Sequence, residues 1–174
     1  IQRTVAMTVF GDLDVSSLRQ LPAGRQPIES FVVPLSEKPL WIRRAWERIS
    51  EELAAGRQAF VVCPAIEPGE KIAAEDGAES PADDDGPEED ARPPLSTVSV
   101  VLEQLRAHPA LAGRVIEPLH GRMTSDEKDR VMRGFADARI DVLVATTVIE
   151  VGVDVPGASM MVVLDADRFG VSQL

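Results

Sequence analysis

The chain has 174 residues, 44% of them hydrophobic and 27% charged, with a formal net charge of −11. That length supports one domain with a proper core. No apolar run nears a membrane span, no charged leader precedes an apolar block, and the single cysteine, Cys63, excludes an internal disulfide and fits a reducing cytosol.

The acidity is local. Residues 67–92 hold 11 acidic side chains against Lys71 and Arg92, which puts −9 in that segment and about −2 in the rest. The overall charge therefore does not exclude a nucleic-acid partner. The absence of an initiator Met leads us to expect a piece of a longer polypeptide.

Thr4–Phe10 alternates as a strand does, and Gly11–Asp14 turns it. Pro22 and Gly24 break the next stretch, and Glu29–Val33 reads as a second short strand closed by Pro34. Pro39–Ala55 carries Ile42, Ala45, Ile49 and Leu53 at helical spacing, with Trp46 extending the stripe and Gly56 as C-cap. Gln58–Cys63 is a buried strand ended by Pro64, and Cys63 within it reads as filler rather than a nucleophile. Residues 67–94 change character: the DDDGPEED core has too little apolar surface to offset its ordering entropy. We expect an acidic insertion without stable order. A docking segment for a basic partner, or a DNA mimic, is the alternative.

Ser96–Ala107 resumes with Val98, Val101, Leu102 and Leu105 on one helical face, ended by Pro109 and Gly113. Arg114–Leu119 is a strand. Thr124 and Glu127 form a capping box on a helix at 125–137, with Val131, Met132 and Phe135 inward. Asp141–Ala145 and Ser159–Leu164 are buried strands. Strand and helix alternate, which calls for an α/β fold: a mainly parallel sheet with right-handed crossovers and helices on both faces.

No G-x-x-x-x-G-K-[ST] cradles a phosphate here, and no metal-ligand spacing or nucleophile motif is present. Three groups remain at strand carboxyl ends, where open α/β sheets bind ligands. They are His120-Gly121-Arg122, Thr146-Thr147 with Gly152 and Asp154, and Asp165 to Gln173. Hydroxyls and glycine beside a helix N-terminus suit an anion such as a DNA phosphate, and Arg122 adds a cation without base specificity. Asp154 suits a ribose hydroxyl or a basic side chain. Capping alone accounts for Thr147 and Glu150, less well for Gly152 with Asp154. For His120 the expectation is a turn histidine satisfied by backbone.

ATTVIEVGVDVP, residues 145–156, resembles motif V of superfamily 2 helicases in the form carried by the RecG-type family. The start, Ile1-Gln2-Arg3-Thr4 with Asp12-Leu13-Asp14 and Leu21-Pro22-Ala23-Gly24-Arg25, is similar to the run after that family's motif III, with Gln2 in place of its proline. HGRM at 120–123 resembles the motif IV region, and DADRFGVSQL at 165–174 resembles the approach to motif VI.

The resemblance implies a three-layer RecA-like domain without its own P-loop, preceded by an inter-lobe linker over residues 1–34 and cut before motif VI. It implies that Gly121, Arg122, Thr146 and Thr147 contact DNA, that Gly152 and Asp154 bind the nucleotide, and that Arg168 and Gln173 couple to motif VI. ATP and Mg2+ would be held mainly by a first motor lobe outside this sequence. The partners would be branched DNA, that lobe and a wedge domain, in the cytoplasm and without a membrane. The chain alone is expected to be inactive. Alternatives are the lobe of another superfamily 2 translocase such as a transcription-repair coupling factor, a stand-alone α/β binding module, and a small-molecule enzyme of doubly wound fold.

Overall fold

A computed structural model describes residues 28–69, 94–146, 155 and 157–169. The chain divides into two units, Ile1–Val33 and Pro34–Leu174. Four short runs of the second unit pair in one parallel sheet: β1 (Gln58–Val62), β2 (Ile116–Leu119), β3 (Val142–Ala145) and β4 (Ala158–Val163). Their order is β2-β3-β1-β4. Val61 registers with Val144 and Val162, and Pro118 with Val144. β3 lies between two neighbours under helices on both faces, so all four of its residues are buried, and its sequence needs no alternation.

Among the described residues three helices cover the sheet: α1 (Trp41–Ala54), α2 (Val98–Ala107) and α3 (Ser125–Ala136). Trp46, Ile49 and Leu53 of α1 and Val98, Val101 and Leu105 of α2 pack on Ala59, Val61, Val142 and Val144. Val131 and Phe135 of α3 pack on the opposite face, against Leu119, Leu143 and Ala145. The ring of Phe135 meets Phe60 at 4.7 Å between centroids. β1 to β2 and β2 to β3 step in opposite directions along the sheet, so right-handed crossovers place their helices on opposite faces. The result is the three-layer architecture expected from the alternating pattern.

Both ends of the sheet are pinned. At the amino edge Gln58 is 5% exposed, and its Nε2 donates to the carbonyls of Phe135 and Ile140, both at 2.7 Å. Glu52, at the end of α1, is 6% exposed. Its carboxylate accepts from Arg57 at 2.5 Å and from Ser159 Oγ at 2.6 Å, tying α1 to β4, and these bonds hold its pKa down to about 2. α1 ends in a Schellman motif: Gly56 N–H bonds the Leu53 carbonyl and Arg57 N–H that of Glu52, with Gly56 at φ 75°. α3 ends the same way through Ala138 and Arg139, but Ala138 must adopt φ 54°, a region that favours glycine.

At the other edge the chain leaves β1 and returns into α2 at one place. Ala65 bridges Thr97, and the N–H groups of Val98 and Ser99 donate to the carbonyls of Ala65 and Ile66. The insertion thus opens and closes beside the carboxyl end of β1.

The expected strand at Glu29–Val33 does not form. Residues 28–34 pair with no strand among the described residues, and Phe31 and Val32 stand 81% and 97% exposed. Apolar, β-branched composition made the run look like a strand; without a pairing partner the propensity decides nothing. The strand at Thr4–Phe10 and most of the acidic insertion lie outside the described residues. No described helix is long and apolar enough to cross a membrane.

Candidate nucleic-acid interface at the carboxyl rim of the sheet

The strand ends set the rim. Leu119 pairs with Ala145, and Ala145 with Val62, which pairs with Val163. The next residues are therefore His120, Thr146, Cys63 and Leu164, side by side across the sheet. Backbone bonds carry the ladder to them: Thr146 N–H to the Leu119 carbonyl at 3.3 Å, Cys63 N–H to Ala145 at 2.8 Å, and Leu164 N–H to Val62 at 2.9 Å.

From His120 the chain turns, with the Met123 N–H on the His120 carbonyl at 3.2 Å, and enters α3. Thr124 caps it: its Oγ1 accepts from the Glu127 N–H at 3.3 Å, and Glu127 Oε2 accepts from the Thr124 N–H at 2.9 Å. That box, as expected from the T-x-x-E spacing, holds the Glu127 carboxyl below its usual range. Gly121 and Arg122 sit exposed on the turn. A Cβ on Gly121 would meet nothing within 4 Å, and Gly121 does not have a positive φ. Neither backbone nor packing inside this lobe calls for glycine there, which leaves room for the close approach of something outside it.

Of the other expected site residues, Thr146 stands next to His120 on the rim and is 2% exposed. Arg168 lies on a short 3₁₀ turn, Ala166–Arg168, with its side chain 20% exposed and its Nε 3.7 Å from Asp167 Oδ2. Thr147, Gly152, Asp154 and Gln173 lie outside the described residues. Gly121, Arg122 and Thr146 thus belong to one rim, and Arg168 follows the end of β4 on the same side.

His120 departs from expectation. Its carbonyl serves the turn, but its Nδ1 is buried without a hydrogen-bond partner, so backbone does not satisfy the ring. Burial first, and then the Arg122 charge, lower its pKa and keep the imidazole neutral near pH 7. Cys63 behaves as expected of buried filler: it is fully covered, and burial together with the Asp165 charge pushes its thiol up to about 12. Among the described residues no cluster of His, Cys, Asp and Glu could hold a metal ion.

Sequence reasoning missed what Asp165 does. It ends β4 in the left-handed region, φ 48° and ψ 48°, and its Oδ2 accepts from the Ser96 N–H at 2.6 Å. The only signal was an aspartate directly after an apolar strand, a residue type that tolerates this conformation.

Residues 96–174 match the family described as the helicase conserved C-terminal domain. Over all 174 residues the chain is 51% identical to the ATP-dependent DNA helicase RecG of Mycobacterium leprae and 48% identical to that of Mycobacterium tuberculosis, covering 22% of each. A solved structure of RecG bound to a three-way DNA junction is 31% identical, with a TM-score of 0.62 over 98% of this chain and 18% of that one. The chain spans about a fifth of the length of these relatives. The sequence likeness runs the full length of the chain and the solved fold agrees with it: this is a C-terminal helicase lobe, similar throughout to the matching stretch of RecG helicases.

Proposed function

We propose that this chain is the second motor lobe of an ATP-dependent DNA helicase that remodels branched DNA, by fork regression and Holliday-junction branch migration in recombination and repair. The observation that carries the reading is the rim, where Gly121 and Arg122 stand exposed beside the register position of Thr146. An exposed cation and a glycine that nothing inside the lobe requires suit a sugar–phosphate backbone better than a base edge. The name of the relatives, and the three-way junction bound to one of them, point to branched DNA as that ligand.

On this reading Gly121, Arg122, Thr146 and Thr147 track the DNA strand, with Thr146 acting from beneath the surface. Gly152 and Asp154 meet the nucleotide, and Arg168 and Gln173 lead to the coupling motif that follows. ATP lies between this lobe and a first lobe that holds the P-loop and the magnesium ion. Closure on ATP and opening after hydrolysis step the pair of lobes along duplex DNA while a wedge domain parts the strands. Residues 1–34 are the linker between the lobes, and the enzyme works in the cytoplasm.

Unwinding of a three-way junction by the whole polypeptide tests this. Asp154→Ala is expected to abolish ATP-driven unwinding while DNA binding persists. Undiminished unwinding by that variant would remove the nucleotide role. DNA-stimulated ATP turnover by residues 1–174 alone would remove the need for a first lobe.

A further inference from the structure

The end of β4 is tied to the start of α2 by one side chain. Asp165 turns the backbone into the left-handed region at φ 48°, and its Oδ2 takes the Ser96 N–H at 2.6 Å. Ser96 precedes Thr97, the N-cap of α2, so the carboxylate also sits where the positive end of the helix dipole favours it. The Asp165 carbonyl then accepts the Arg168 N–H at 2.9 Å and closes the 3₁₀ turn that carries Arg168. One residue thus holds two segments distant in sequence: the point where the chain re-enters the lobe before α2, and the turn after β4.

We infer that Asp165 is a positioning residue, whose carboxylate fixes the Arg168 turn to the entrance of α2 so that the segment after β4 is held in place for coupling nucleotide to DNA. This rests on the motor-lobe reading above. The Asp165 carboxylate is engaged by the Ser96 N–H. Its effect is on how Arg168 is presented, so it belongs in turnover rather than in affinity for DNA.

Three variants of the whole helicase polypeptide separate backbone from carboxylate. Asp165→Gly keeps the left-handed turn and removes the acceptor. Asp165→Asn keeps an acceptor oxygen and tolerates the same backbone. Ser96→Pro removes the donor from the other side without touching β4. Losing a hydrogen bond to a charged group corresponds to about a 10-fold change in rate. Asp165→Gly and Ser96→Pro should each lower the kcat of DNA-stimulated ATP hydrolysis by that factor, with KM for DNA within about 2-fold. Asp165→Asn should recover most of the rate, and the double variant should be no worse than either single one, because both remove one bond. Wild-type turnover in Asp165→Gly or Ser96→Pro, losses that multiply in the double variant, or a change confined to KM would overturn the inference. If Arg122→Ala leaves DNA affinity unchanged, the DNA reading itself fails; if it weakens binding while Asp165→Gly turns over normally, only the role of Asp165 fails.

Discussion

At the scale of single residues, two side chains give direct tests. Glu52 is buried, and hydrogen bonds from Arg57 and Ser159 hold its pKa near 2 against an ordinary 4.5. A carboxyl depressed by folding contributes stability above its unfolded pKa and loses it as pH falls through the folded one. The melting temperature should therefore drop between about pH 4.5 and pH 2, and Glu52→Gln should flatten that drop. At pH 7 the same variant should cost about 2 kcal/mol, limited by the half-exposed arginines around it. Urea titrations of both proteins across that pH range decide it; an equal acid drop in the two would place the sensitive group elsewhere. Ala138, left-handed at φ 54° where α1 uses Gly56, is the second. Ala138→Gly should stabilise the chain by about 0.5–1 kcal/mol, and a lower midpoint would mean that the turn is not strained.

At the scale of elements, Gln58 joins β1 to the end of α3. Gln58→Leu leaves the carbonyl of Ile140 buried and unpaired, while that of Phe135 keeps the Ala138 N–H, so a loss of about 2 kcal/mol is expected in chemical denaturation. Gly157→Ala should act through the same group, since its Cβ would lie 2.5 Å from Gln58 Oε1. A midpoint unchanged in both would show that Gln58 does not carry this joint. The elements themselves were legible because each hydrophobic period meets one partner surface. Val98, Val101 and Leu105 recur on one face and are buried, and the box at Thr124 and Glu127 starts α3 where its spacing says. What sequence could not supply was pairing. Glu29–Val33 has the composition of a strand and no strand beside it among the described residues, and Gln58 looked like the polar first residue of a strand although it caps a helix 77 residues away. The site was legible in part for the same reason. Strand ends put Gly121 and Thr146 on one rim, but the orphaned Nδ1 of His120 and the bond from Ser96 to Asp165 depend on three-dimensional neighbours that no local pattern encodes.

At the scale of the whole molecule, the acidic charge and the proposed DNA rim must coexist. The insertion contributes −9 and departs from the same edge of the sheet that presents Arg122. Long-range attraction therefore cannot be what draws DNA to this lobe; short-range contacts at the rim must do so, and those release counterions one phosphate at a time. The salt dependence of DNA binding reports this most directly. Affinity of the chain for a labelled three-way junction, measured from low to moderate salt, should fall linearly on a double-logarithmic plot, and Arg122→Ala should reduce the slope by about 1 whatever the sequence of the arms. The same slope for both proteins, or a loss that changes with arm sequence, would contradict a phosphate-tracking rim.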